Sequence, residues 1–129
     1  MLNMVKHNFV VTKCYVGDKP VNIVHRHGDS DIGIVKQTFE HRQYVPNEER
    51  FKDICDEYQK ILDHGSIQLI VDAGANIGSS TAWFGENFPL SHIVSIEPSA
   101  ENFTFLVVNG SKYWVDFRCR LSLGCHIIP

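Results

Sequence analysis

The stretch "LIVDAGANIGSSTAWFGENFP", residues 69–89, decides how this 129-residue chain is read. It opens with an apolar run ending in an acid, Asp72. It then passes through a turn carrying Gly74, Asn76 and Gly78, and continues as a helix over roughly 79–88. A short, almost wholly apolar run such as "IQLIVD", residues 67–72, predicts a strand buried on both faces of a parallel sheet. "HIVSIE" (92–97) predicts a second such strand, and "SAENFTFLVVN" (99–109) a second helix. Ser99 is its cap, and Phe103, Leu106 and Val107 form its apolar face. Strand and helix alternate, so the expected fold is α/β with an incomplete, Rossmann-like parallel sheet.

Upstream the grammar differs. "NFVVTKCYV" and "VNIVH" flank the turn "GDKP", which predicts a β-hairpin over 8–24. "IGIVKQTF" (32–39) reads as a further strand. "PNEERFKDICDEYQKILDHG" reads as a helix capped by Asn47 and ended by Gly65, with Phe51, Ile54, Tyr58, Ile61 and Leu62 on one face. The chain therefore divides into a hairpin-and-helix lead-in over 1–65 and a half Rossmann-like unit over 66–129. "YWVDF" within the tail begins a possible third strand.

Bulk properties exclude several classes. A formal net charge of −3 with scattered lysines and arginines argues against a nucleic-acid footprint. No apolar run approaches the ~20 residues of a membrane span, and "MLNMVKHNFVVTKC" lacks a signal core, so a cytoplasmic protein is expected. Cys14, Cys55, Cys119 and Cys125 form no C-x-x-C pair, and His126 beside Cys125 does not restore a zinc spacing, so no metal is expected.

In open α/β sheets, ligands bind beyond the carboxyl ends of the strands. Gly74 there can take backbone angles closed to other residues and lets a ligand approach the main chain. Gly78 allows close packing, and the helix behind it offers free N–H groups. Asp72 needs a partner to be buried, either a cationic amine or backbone amides of the turn. Glu97 ends the second strand twenty-five residues later, where an acid can grip both ribose hydroxyls; Pro98 then fixes the turn. The dinucleotide fingerprint G-x-G-x-x-G is missing, and Asp72 would repel a pyrophosphate. An acid there instead suits the ammonium of S-adenosyl-L-methionine.

The segments "VDAGANIGSSTAWF" and "VSIEPSAENFTFLVVN" closely resemble the FkbM-type family of class I S-adenosylmethionine-dependent methyltransferases. That family carries D-x-G-A-N-I-G, a strand-ending E-P, and an E-N-F-x-x-L-x-x-N helix. The resemblance covers about residues 17–110, with Asp31, Phe39 and Tyr44 at familiar places in the lead-in. It implies methyl transfer from S-adenosyl-L-methionine to a hydroxyl of a sugar, glycan or small natural-product acceptor. It further implies that Asp72, Gly74, Asn76, Ile77, Gly78, Ser79, Glu97 and Pro98 hold the cofactor, with Tyr44 near the methionine end. His25, His27 and His41 are candidate bases by residue type only. The family continues past Asn109 through further strands and an acceptor region, so this chain is expected to carry mainly the cofactor-binding half. A non-catalytic remnant with a binding or regulatory role is the alternative. A homo-oligomer through an open sheet edge is also expected.

Overall fold

A computed structural model describes residues 8–119. Strands β1 (Phe9–Val16) and β2 (Lys19–Arg26) form the expected antiparallel hairpin, in register from Phe9 opposite Arg26 to Val16 opposite Lys19. Its two-residue turn is Gly17-Asp18, with Gly17 at φ 59°. Alternation buries Cys14, Val21, Ile23 and His25 on one face, while Phe9, Val11 and Tyr15 stay exposed on the other. His25 is a core histidine: its ring nitrogens meet Thr12 Oγ1 and the Arg26 carbonyl.

The reading of "IGIVKQTF" as a strand is corrected. It lies in helix α1 (Asp29–Phe39). The residues it buries, Asp31, Val35, Thr38 and Phe39, recur at three- and four-residue intervals, which is a helical period. The helix entry is fixed electrostatically. Arg26 donates from its backbone N–H, Nε and Nη2 to the two carboxylate oxygens of Asp31, at 2.8–2.9 Å. The lead-in thus contributes two helices where one was expected.

Helix α2 (Glu48–Asp63) is capped by Asn47, whose side chain accepts the Arg50 N–H, and is followed by Gly65 at φ 72°. Its packing stripe runs through Phe51, Cys55, Tyr58, Ile61 and Leu62, whereas Ile54 is exposed. Phe51 and Tyr58 reach aromatic partners: Phe51 stands 5.8 Å from Trp83, and Tyr58 lies 5.2 Å from Phe88 in edge-to-face contact.

The second half is β3 (Leu69–Ala73), α3 (Ser79–Asn87), β4 (His92–Ile96), α4 (Ala100–Gly110) and β5 (Val115–Arg118). The three strands form a parallel sheet in the order β3-β4-β5. This is a partial Rossmann-like arrangement, and the tail supplies its third strand. Register places Asp72 beside Ser95 and Ser95 beside Phe117, and all three meet α3 or α4. The opposite face carries Leu69 and Val71, which are 59% and 58% exposed. The expectation that β3 is buried on both faces is therefore corrected. Among the described residues, both helices cover one face only, and an apolar strand does not by itself reveal how many layers cover it.

One hydrophobic cluster joins the two halves, running from Cys14, Val21 and Ile23 through Val35 and Phe39 to Ile77, Ala82, Trp83, Phe88 and Phe105. In α4 the buried stripe is Phe105, Leu106, Asn109 and Gly110; Leu106 is buried as expected, but the stripe shifts away from Phe103 and Val107, which are half-buried. The shift comes from the hairpin, which packs on α4 and draws Phe105 inward. No helix among the described residues is long and apolar enough to cross a membrane. Cys125 and His126 lie outside the described residues, and no group of three or more His, Cys, Asp or Glu among them could hold a metal ion.

Candidate functional site

Three of the positive-φ residues among the described residues fall in the turn from β3 to α3. Gly74, Asn76 and Gly78 all take left-handed conformations, at φ 77°, 53° and 92°. Glycine adopts these angles freely, and asparagine is among the few other residues that tolerate them. The turn is hooked onto the neighbouring strand. The N–H groups of Gly74 and Ala75 both donate to the carbonyl of Ile96, at 2.8 and 2.9 Å.

The two glycines do different work. A Cβ on Gly78 would lie 3.0 Å from the Cα of Leu106, so Gly78 is what lets α4 pack against the turn. A Cβ on Gly74 would meet nothing within 4 Å. Gly74 therefore leaves an open approach to the main chain at the carboxyl end of β3.

Glu97, one residue past β4, closes the site from the second strand. Its Oε2 accepts the Asn76 N–H at 2.7 Å, and its Oε1 accepts the Ser99 N–H at 2.8 Å. Its own N–H donates to the Arg118 carbonyl. A side chain only 6% exposed is thus held by one amide from each strand-end turn. Each carboxylate oxygen has a further lone pair to offer. Pro98 beside it is exposed.

Asp72 finds its partners within the protein on α3. In place of a turn amide, its Oδ2 accepts the hydroxyls of Ser80 and Thr81, both at 2.7 Å. Thr81 is in turn hydrogen-bonded to Ser95 Oγ of β4. The first turn of α3 therefore folds over the end of β3 and buries the acid under two hydroxyl donors. Tyr44 approaches the same group. Burial pushes its phenol above the ordinary range, with the Asp72 charge adding to the rise and a bond with Ser80 opposing it. The Tyr44 ring packs on Trp83 and Phe84, at 5.5 and 5.0 Å.

Two polar atoms at the site, Asn76 Oδ1 and Ser79 Oγ, are buried without a hydrogen-bond partner. Native interiors rarely leave such atoms unmatched, and a ligand is one reason for an exception. Ser79 also begins α3, where first-turn N–H groups have no intrahelical acceptor. Ile77 lies within the turn with its side chain fully buried in the hydrophobic cluster.

Sequence reasoning missed Ser80, Thr81 and Ser95 as the polar set around Asp72, and missed the bonds made by Asn109. The polar run Ser79-Ser80-Thr81 at a helix start was the available signal. Of the histidines considered as bases, His25 is structural, and His27 and His41 are exposed.

No family model matches this sequence, and no curated protein does. The similar solved structures include two of one protein. One is the plantazolicin methyltransferase BpumL in complex with a monoazolic desmethylPZN analog and SAH, at 18% identity and a TM-score of 0.37. The other is BpumL in complex with SAH, at 19% identity and a TM-score of 0.37. The similarity covers 77% and 78% of this chain, which spans only 39% and 40% of those proteins. Neither likeness assigns a role to a residue here.

Proposed function

We infer that residues 8–119 provide the methyl-donor side of an S-adenosyl-L-methionine-dependent methyltransferase of FkbM type, acting on a hydroxyl of a sugar or small natural-product acceptor. The observation that carries this reading is the junction of Glu97 with the Gly74–Gly78 turn through the Asn76 amide. It places an acid and an open main-chain approach side by side at adjacent strand ends. The ligand that suits them carries a ribose diol and an amino acid.

The residues present fit that cofactor. Gly74 leaves room for it, Asn76 Oδ1 and Ser79 Oγ lack partners, and Glu97 keeps acceptor capacity. When bound, the cofactor supplies an electrophilic methyl group on a sulfonium. Glu97 would hold the ribose hydroxyls. The Gly74 main chain and the start of α3 at Ser79 would receive the methionine carboxylate. Asp72, already anchored through Oδ2, would present Oδ1 to the ammonium. Catalysis by this side of the site is alignment of the methyl group rather than proton transfer.

The test is isothermal titration of the full chain with S-adenosylhomocysteine and, separately, with NADH. Saturable binding of the first and none of the second is expected. Tight NADH binding, or no binding of either, would overturn the reading.

A further inference from the structure

Asn109, in the last turn of α4, has a fully employed side chain. Its Nδ2 donates to the carbonyls of Val24, at 2.8 Å, and Ile77, at 2.7 Å. Its Oδ1 accepts the Val24 N–H at 2.8 Å. Val24 belongs to the hairpin, eighty-five residues away in sequence, and Ile77 belongs to the candidate ligand turn, thirty-two residues away. A single buried amide therefore ties three elements together.

Ladder geometry shows why Val24 is available. The Asn8 carbonyl accepts the His27 N–H, and hydrogen-bonded pairs alternate along an antiparallel ladder. Val11 and Val24 are then a non-hydrogen-bonded pair, and both backbone groups of Val24 point outward, away from β1. Asn109 occupies that edge as a backbone amide would. Its third bond fixes the Ile77 carbonyl immediately before the left-handed Gly78, where an added Cβ would lie 3.0 Å from the Cα of Leu106, one helical turn earlier in α4.

We propose that Asn109 is a positioning residue that sets the ligand turn according to how the hairpin is seated, so that residues 9–26 govern cofactor affinity without touching the cofactor. The proposal rests on the methyl-donor reading for its ligand but not for its coupling. Seating the hairpin fills both Val24 bonds and holds the amide plane. The plane in turn aims Nδ2 at the Ile77 carbonyl and holds Asn76 and Gly78, on either side of it, in their left-handed conformations.

Two variants of the full chain separate the links. Val24→Pro removes the hairpin N–H at an outward edge position, where proline costs no ladder bond. Asn109→Asp keeps the acceptor for Val24 but puts a carboxylate oxygen against both carbonyls. The readout is amide hydrogen exchange by NMR at Asn76 and Gly78, relative to Ile93 and Ser95 of β4, which report global opening. Both variants should accelerate the turn amides about tenfold over the β4 amides, the scale of one lost hydrogen bond. S-adenosylhomocysteine affinity should fall by a similar factor.

Unchanged turn exchange in either folded variant, or equal acceleration of turn and β4 amides, overturns the coupling. Absence of S-adenosylhomocysteine binding by the wild-type chain overturns the methyl-donor reading alone, since the exchange comparison needs no ligand.

Discussion

The carboxylate of Glu97 accepts the main-chain N–H of Asn76 at 2.7 Å, joining the end of β4 to the turn that follows β3. The bond matters because it holds the left-handed Asn76 to the end of the neighbouring strand. With the second oxygen on Ser99, one side chain organises both strand-end turns. Glu97→Gln keeps one acceptor and should weaken S-adenosylhomocysteine binding about tenfold. Glu97→Ala should weaken it by about a hundredfold or more, since charged hydrogen bonds contribute ~1.5–3 kcal/mol each. Titration calorimetry checks both.

The glycines of the turn should separate in their effects. Gly78→Ala forces a Cβ against the Leu106 backbone on top of an unfavourable φ, so thermal stability should fall, by about 2–3 kcal/mol. Gly74→Ala carries only the strain of its positive φ, about 1 kcal/mol, because its Cβ meets open space. Ligand affinity should nonetheless fall more for Gly74→Ala than its stability loss explains, because the methyl group occupies the approach. Paired denaturation and titration experiments measure the difference.

Asp72 should behave as a structural acid before it behaves as a ligand-binding one. Asp72→Ala strands the buried hydroxyl of Ser80 and leaves Thr81 with Ser95 alone, so chemical denaturation should show a loss of about 2–4 kcal/mol. Asp72→Asn retains an acceptor and should lose about half as much. An equal loss in both would mean that charge, not hydrogen bonding, holds the start of α3.

These outcomes show what the sequence could and could not convey. The β3–turn–α3–β4 segment was legible because its signals are local: an apolar run, glycines where φ is positive, and acids at strand ends. Helix α1 was not, because Ile32, Ile34 and Val35 are β-branched and favour strands intrinsically. The burial of Val35 and Phe39 against the hairpin overrides that preference. The Asp72 partners were missed because an acid at a strand end suggests a ligand, whereas the hydroxyls that satisfy it come from one helical turn beyond the glycines. Asn109 was visible as a motif residue, but its work depends on a hairpin eighty-five residues upstream.

The Arg26–Asp31 contact gives a pH dependence. Burial alone would raise the Asp31 carboxyl, but the three hydrogen bonds and the charge of Arg26 hold it below the usual carboxylate range. A carboxyl depressed in the folded state binds its proton more readily when unfolded, so it stabilises the fold above its ordinary value of 3.8. That contribution is lost as pH falls through the lower folded value. Asp31→Asn should therefore cost about 2 kcal/mol at neutral pH, and the gap from wild type should narrow once pH drops below 3.8. Urea denaturation across the acid range measures it.

The most direct measurement follows the amide signals of Asn76 and Ser99 by NMR while S-adenosylhomocysteine is added to the full chain. Both amides bond to Glu97, so a ribose sharing that carboxylate must move both signals together, in a saturable way that Glu97→Ala abolishes. Signals that stay fixed at saturating ligand, or move identically in the Glu97→Ala chain, would contradict the assignment of this turn as the seat of the methyl donor.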